Sequence, residues 1–205
     1  MRSAVLALVL LLFGSAAYAG THRLAFYADR ELTSCNLVAV TPGLLGVHIV
    51  LEGDGLISSL TFRAVKPACM RSAVWVADAW ALDGGQGLQA PGNSQDAWGA
   101  DVVIKNGCQP APIYLGQILY LLTEPTAPCC VYEPGPYLGP FLGGDPAINI
   151  AVVDKCNPPP GIPVDLEFET ATSKGLIMNA DATCPCQQPL PVRPSTWGSV
   201  KALYR

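Results

Sequence analysis

Four cysteines, arranged in two closely spaced doublets, are the residues of this sequence best suited to metal binding, redox chemistry or disulfide formation. Cys129 and Cys130 are adjacent, and Cys184 and Cys186 are separated by Pro185. Four thiolates could bind zinc, but the C-x-x-C spacing typical of zinc and thiol-redox sites is absent. Successive side chains of an extended chain point to opposite faces, so each cysteine of the adjacent pair is predicted to bond a different partner. The pattern therefore favours structural disulfides over a metal or redox site.

The cysteine count supports the same interpretation. The sequence contains eight cysteines, an even number that fits up to four disulfides in an oxidising compartment. No metal or other cofactor is predicted. The residues predicted to form disulfides are Cys35, Cys69, Cys108, Cys129, Cys130, Cys156, Cys184 and Cys186.

Carboxylates form two further groups that could bind a cation or act on a glycan. Asp165, Glu167 and Glu169 alternate with apolar residues, which places them on one face of a strand. A solvated outer face explains this row equally well. A second group, in or beside a long glycine-rich loop, offers oxygen ligands for calcium, although its spacing matches no EF-hand. Its members are Asp83, Asn93, Asp96 and Asp101.

Catalytic constellations are otherwise missing from the sequence. It contains two histidines, His22 near the predicted mature N-terminus, where chains usually fray, and His48 on the polar side of a strand. No G-x-S-x-G, H-E-x-x-H, P-loop or G-x-G-x-x-G motif occurs. The sequence therefore predicts a non-catalytic protein.

Aromatic residues in loops are the candidate ligand-binding groups. Tyr132, Tyr137 and Phe141 lie in the proline- and glycine-rich stretch after the adjacent cysteines, and Trp98 lies in the glycine-rich loop. Such side chains stack on sugars or anchor a protein partner. The alternative is that the tyrosine loop folds inward as a lid over the core.

The elements that must position these residues follow a predicted signal peptide. Residues 1–19 contain Arg2, a ten-residue apolar run and small residues at Ala17 and Ala19, which predicts cleavage before Gly20. The apolar run is shorter than the roughly 20 residues needed to span a bilayer. We therefore expect a secreted protein, outside the cell, on its surface or in a periplasm, with no membrane insertion after cleavage.

Composition narrows the possible partners. The chain has 205 residues, a formal charge of −4 and no basic cluster, which argues against binding nucleic acid. Half of its residues are hydrophobic and 14% are charged, so the chain can form a substantial core.

The body of the chain predicts an all-β sandwich over residues 20–186. Short alternating or apolar runs are separated by turn residues, with 19 prolines and 20 glycines in the chain. Ile57–Val65 follows the run ending at Glu52 at hairpin distance. Ile113–Leu122 is apolar on both faces, so a loop or the tail is expected to cover its outer face. The predicted strands are His22–Ala28, Asn36–Val40, Val47–Glu52, Ile57–Val65, Ser72–Leu82, Asp101–Lys105, Ile113–Leu122, Ile148–Asp154 and Val164–Thr170.

The C-terminal residues predict a separate element. Residues 187–194 form a proline-rich linker, and residues 195–205 predict a short amphipathic helix. Trp197, Val200 and Tyr204 form its apolar stripe.

Several segments resemble a known group of proteins. CNLVAV, KPAC, GNSQ, NGC, PCCVYEP, VVDKC and CPC follow one another between Cys35 and Cys186. In that order they resemble uncharacterised secreted proteins of environmental Gram-negative bacteria, and the closing STWGSVKALYR is similar to a tail found on assorted exported proteins of such bacteria. The resemblance implies an exported bacterial protein with an immunoglobulin- or cohesin-like β-sandwich fold. It brings no activity and no catalytic residue.

Together these observations predict a secreted, disulfide-stapled β-sandwich with a binding or structural role toward an extracellular ligand or protein. The alternative is a glycan-binding module, or a glycan-acting one that uses its carboxylates and loop aromatics.

Overall fold

Strands account for nearly all regular structure in the parts of the chain that the structure describes. The computed structural model describes residues 22–53, 56–81, 88–89, 92–104, 109–138, 151–153 and 168–186. These ranges contain fifteen strands and one 3-10 turn at Ala68–Met70. The strands are β1 (Arg23–Tyr27), β2 (Asn36–Leu37), β3 (Gly43–Glu52), β4 (Leu56–Ile57), β5 (Ser59–Phe62), β6 (Ala73–Trp80), β7 (Leu88–Gln89), β8 (Ala100–Ile104), β9 (Gln109–Pro110), β10 (Ile113–Leu122), β11 (Cys130–Tyr132), β12 (Ala151–Val153), β13 (Phe168–Thr170), β14 (Thr172–Lys174) and β15 (Leu176–Met178).

Two five-stranded sheets enclose one hydrophobic core. The first has the order β14-β1-β3-β10-β6 and the second the order β13-β12-β5-β8-β7. Smaller sheets, β11-β15-β2 and β4-β9, complete the structure. The main core cluster joins Ile49 and Ile118 of the first sheet to Phe62 and Val102 of the second. This arrangement confirms the predicted all-β sandwich stapled by disulfides.

All nine predicted strand regions contain a strand, but one predicted neighbour relation is wrong. The run after Glu52 does not form a hairpin with β3, because β3 pairs with β1 on one side and with β10 on the other. With both edges of β3 occupied, β5 crosses to the second sheet and pairs with β8 and β12. Spacing alone could not reveal these long-range pairings.

The outer face of the first sheet is covered at one end, as the two-sided apolar pattern of β10 predicts. Ala25, Tyr27 and Val50 are buried there, and Leu32 and Tyr114 pack against them. Leu32 belongs to the connection between β1 and β2, so that loop is the cover at this end.

The other end of the same outer face is open. Leu121 pairs with Leu44 on one side and with Val74 on the other. The exposed fractions of these three side chains are 46%, 67% and 58%. Cross-strand neighbours on one face lie about 4.5–5.5 Å apart, so the three form a continuous apolar surface.

The two histidines occupy different environments. His22 is 1% exposed, so the expectation of a frayed position is wrong for this residue. His48 lies half-buried on the outer face, and its Nδ1 is 2.8 Å from the Tyr114 hydroxyl. Burial lowers the pKa of His48, with nearby Asp29 opposing that shift.

We expect His48 to make the protein less stable in acid. Its pKa in the folded state lies below its ordinary value of 6.5, so protons favour the unfolded chain. The contribution of neutral His48 to the free energy of unfolding is fully present above about pH 6.5 and is lost as pH falls through the folded-state pKa. Urea unfolding of the wild type and of His48→Gln across this range measures the effect. The difference in unfolding free energy between the two should change with pH, and parallel profiles would contradict the prediction.

Three disulfides lie within the described residues and join segments that are distant in sequence. They are Cys35–Cys186, Cys69–Cys130 and Cys129–Cys184, with sequence separations of 151, 61 and 55. Both doublets therefore divide their sulfurs between separate partners, which for Cys129 and Cys130 is what the side-chain directions predict. Cys108 and Cys156 lie outside the described residues.

Several predicted segments also lie outside the described residues. They include the signal peptide, the linker 187–194 and the tail with Trp197, Val200 and Tyr204. Within the described part of the chain, no helix is long and apolar enough to cross a membrane.

Candidate functional site

Two loops at one end of the second sheet form a concave site. The cavity has a volume of about 590 Å³ and lies between residues 92–99, which precede β8, and the segment that follows β11. It brings together two of the predicted ligand-binding aromatics, Trp98 and Tyr137, and two of the candidate calcium ligands, Asp96 and Asp101. The lining residues are Gly92, Asp96, Ala97, Trp98, Gly99, Asp101 and Tyr137.

Backbone contacts hold the two loops together. The Leu138 amide donates to the Trp98 carbonyl at 2.9 Å. Arg63 and Gly135 exchange two backbone hydrogen bonds, of 2.9 and 2.6 Å. The first bond joins the tyrosine segment to the loop that carries Trp98, and the other two join it to the end of β5, which places both aromatic residues on one cavity.

Gly99 is required for the loop to return to the sheet. Its φ is +106°, a conformation that side-chain-bearing residues rarely adopt. A Cβ atom at this position would lie 2.3 Å from the Phe62 carbonyl oxygen. The absence of a side chain therefore allows the loop to pass directly over β5.

A buried polar anchor fixes the loop to the first sheet. The Asp78 carboxylate, on β6, accepts hydrogen bonds from the Ser94 amide at 2.6 Å and from the Ser94 hydroxyl at 2.7 Å. It also accepts a hydrogen bond from Trp75 Nε1 at 3.1 Å. Ser94 is fully buried, so these bonds satisfy polar atoms that water cannot reach. Asp78 thus connects the edge strand of one sheet to the loop at the end of the other.

Gln95 extends this anchor into the core. Its side-chain amide donates to the Ala64 carbonyl and to the Ser94 hydroxyl, and its oxygen accepts from the Lys66 amide at 3.1 Å. The Ala64 carbonyl also accepts the Tyr132 hydroxyl at 2.6 Å. The GNSQ segment therefore links the surface loop to the buried tyrosines.

Tyr132 is a core residue and not part of a ligand site. Its side chain is 1% exposed, and its hydroxyl lies 2.8 Å from the Tyr120 hydroxyl. Burial raises the pKa of both phenols above the ordinary value of 10.0. The assignment of Tyr132 to ligand binding is thus corrected, because β11 turns this ring inward against Phe26, with ring centroids 5.0 Å apart.

The other three aromatic candidates have different outcomes. Trp98 is 59% exposed, and Tyr137 is half-buried on the same cavity. Phe141 lies outside the described residues. The sequence thus singles out four residues of the cavity, two aromatic and two acidic, but not Asp78, Ser94 and Gln95, whose long-range hydrogen bonds leave no periodic signal.

The carboxylates of the cavity differ in their surroundings. The Asp96 carboxylate accepts a hydrogen bond from the Asn93 amide at 3.2 Å, within its own loop. Asp101 is half-buried, and burial raises the pKa of its carboxyl group. Directly across the ladder from Asp101 lies Thr61, whose buried hydroxyl has no hydrogen-bond partner. Asp101 and Thr61 therefore form a polar pair on one face of the second sheet.

This geometry gives little support to either of the two groups of predicted cation ligands. The Asn93 side-chain oxygen accepts a hydrogen bond from the Gln95 backbone amide at 2.9 Å. Asp83, Asp165 and Glu167 lie outside the described residues. Within the described part, one group has the composition of a metal site, namely Cys129, Asp181 and Cys184, and its two sulfurs are bonded to each other.

Comparisons with known proteins give structural likenesses only. No protein-family model matches the chain, and no curated protein matches it. The chain is similar to a solved cohesin module from the family 33 glycoside hydrolase of Clostridium perfringens, with 9% identity, a TM-score of 0.43, and coverage of 79% of this chain and 98% of that one. It is also similar to a non-cellulosomal cohesin from Archaeoglobus fulgidus (10% identity, TM-score 0.39, coverage 77% and 91%). A third similar structure is the seventh ScaB type I cohesin from Pseudobacteroides cellulosolvens (12% identity, TM-score 0.38, coverage 82% and 97%). At such identities these likenesses assign no residue roles.

Proposed function

We propose that this protein is a non-catalytic β-sandwich binding module that acts outside the cytosol and binds carbohydrate in the Trp98–Tyr137 cavity. The observation that carries the proposal is the meeting of an exposed tryptophan and a tyrosine, from two separate loops, on one concave surface that also holds two carboxylates. A volume of about 590 Å³ suits a small ligand or a few sugar units.

The chemistry of the lining fits a sugar. Aromatic rings pack against the apolar faces of sugar rings, and carboxylate oxygens accept hydrogen bonds from hydroxyl groups. Trp98 and Tyr137 supply the rings, and Asp96 and Asp101 supply the acceptors. The anchored loop keeps this arrangement in place before the ligand arrives, which lowers the entropy cost of binding.

The extracellular location rests on two supports. Residues 1–19 have the pattern of a signal peptide, and three disulfides staple the described part of the chain. The proposed setting is therefore extracellular, on the cell surface or periplasmic.

A second function, glycan hydrolysis, is favoured by one observation. Burial raises the pKa of Asp101, and a raised pKa is what a general acid for glycoside cleavage requires. The Asp96 carboxylate lines the same cavity and is the candidate for the second carboxylate of such a pair. Release of reducing sugar from any glycan that binds, abolished in Asp101→Asn, would establish this alternative over simple binding.

A glycan-array screen of the oxidised protein, followed by calorimetry on the best ligand, tests the proposal. Trp98→Ala and Tyr137→Ala should each weaken binding at least about fivefold, because stacking on one ring contributes on the order of 1 kcal/mol or more. Val131→Ala, at an exposed apolar residue that does not line the cavity, is the matched control and should bind normally. An array with no bound glycan, or equal binding by all three variants, would overturn the assignment.

A further inference from the structure

Among the residues that the structure describes, the lining of the cavity holds two carboxylates and no cationic side chain. Asp96 and Asp101 are its only ionisable groups apart from the Tyr137 phenol, among the lining residues of the described chain. The nearest cation seen to contact this loop is Arg63, whose guanidinium donates to the Ala97 carbonyl at 3.5 Å. A ligand with its own positive charge would therefore complement the site.

The aromatic residues reinforce that preference. The face of an aromatic ring carries partial negative charge and attracts ammonium groups, with tryptophan the strongest and tyrosine next. Trp98 and Tyr137 line the cavity together with the two carboxylates. Rings and carboxylates in one concavity would attract a cation through both effects, whereas a neutral sugar gains only from stacking and hydrogen bonds.

The two carboxylates differ in how far they are removed from water. Asp101 is half-buried, whereas Asp96 is exposed and already accepts a hydrogen bond from the Asn93 amide within its own loop. Charge pairing strengthens as water is excluded, so Asp101 is the carboxylate that gains more from contact with an ammonium group.

We propose that the ligand of the Trp98–Tyr137 cavity is a glycan that carries free amino groups, and that Asp101 is the residue that selects the amine. This inference rests on the proposed carbohydrate function and adds the chemical class of the sugar. In the bound state the ammonium group contacts the Asp101 carboxylate, and the sugar rings stack on Trp98 and Tyr137. N-acetylation removes the positive charge and so removes the basis of selection.

Calorimetric titration of the full, oxidised protein with three matched oligosaccharides tests this inference. The probes are oligomers of glucosamine, N-acetylglucosamine and glucose, at about pH 6 where amines are protonated. We expect the glucosamine oligomer to bind at least about tenfold more tightly than the other two. Its affinity should fall as salt rises from about 50 mM to about 500 mM, because screening weakens charge pairing.

Matched variants separate amine selection from simple sugar binding. Asp101→Asn should remove the preference for the glucosamine oligomer and leave weak binding to all three. Glu124→Gln, an exposed carboxylate that lines a different depression, removes the same charge elsewhere and should keep the preference.

The possible failures are distinguishable. If neutral and N-acetylated oligomers bind as well as the amine form, and Trp98→Ala still weakens binding, the carbohydrate function stands and amine selection is wrong. If no oligosaccharide binds but a lysine-rich peptide does, in an Asp101-dependent way, the carbohydrate class is wrong and with it both proposals.

Discussion

Replacing Tyr132 with alanine is expected to lower the free energy of unfolding by about 3–5 kcal/mol. The ring is 1% exposed and packs against Phe26 and Tyr120, so its loss leaves a cavity between the small sheet and the main core. The hydroxyl that bonds the Ala64 carbonyl at 2.6 Å is lost as well. Urea unfolding monitored by tryptophan fluorescence measures the change.

Two companion variants complete the test: the first separates the contribution of ring packing from that of the hydroxyl, and the second is a control at a neighbouring tyrosine. Tyr132→Phe keeps the ring and removes the hydroxyl, leaving Tyr120 without that partner, and should cost about 1–2 kcal/mol. Tyr137→Ala, five residues further on and half-buried, should cost less than about 1 kcal/mol. If Tyr132→Ala unfolded no more easily than Tyr137→Ala, the assignment of Tyr132 to the core would be wrong.

Tyr132 and Tyr137 show which part of a residue's environment the sequence can predict. Both lie in one stretch rich in proline and glycine, and composition gives them the same prediction. They differ because β11 pairs with β15, which turns Tyr132 inward, whereas Tyr137 follows the point where the chain bonds to Arg63. β15 lies more than 40 residues away along the chain, so a local pattern cannot indicate the pairing.

Strand positions were easier to predict than strand partners. Alternation located the region of β3, and a continuous apolar run located that of β10, because both patterns are local properties of the chain. The sheet order was not accessible, since β3 pairs with β1 and β10 instead of the strand that follows it. The same holds for the cysteines. Local geometry predicts that Cys129 and Cys130 bond separate partners, but the choice of Cys184 and Cys69 depends on the folded chain.

The second large effect is expected at Asp78, a residue that no motif singles out. Replacing it with alanine should lower the free energy of unfolding by about 2–4 kcal/mol, because hydrogen bonds to a charged acceptor are worth more than neutral ones. The change leaves the Ser94 amide without its acceptor in a fully buried position and removes the acceptor of Trp75 Nε1. Equilibrium unfolding in urea gives the free energy.

Asp78→Ala should also weaken ligand binding, although Asp78 does not line the cavity. Its carboxylate holds Ser94, four residues before Trp98, so its removal frees the loop that presents the tryptophan. A more mobile loop must be ordered when the ligand binds, which reduces affinity. Faster amide hydrogen exchange across residues 92–99 in the variant would show this directly.

Two control variants separate this anchoring from the general loss of a carboxylate. Asp29→Ala removes an acid that also accepts two hydrogen bonds, both from Thr33, but in an exposed turn far in sequence from the cavity. It should cost less than about 1 kcal/mol and leave binding intact. Asp78→Asn keeps one acceptor oxygen and should fall between the alanine variant and the wild type. If Asp78→Ala bound ligand normally and left hydrogen exchange in the loop unchanged, Asp78 would be a stability residue alone, and the first sheet would have no part in holding the site.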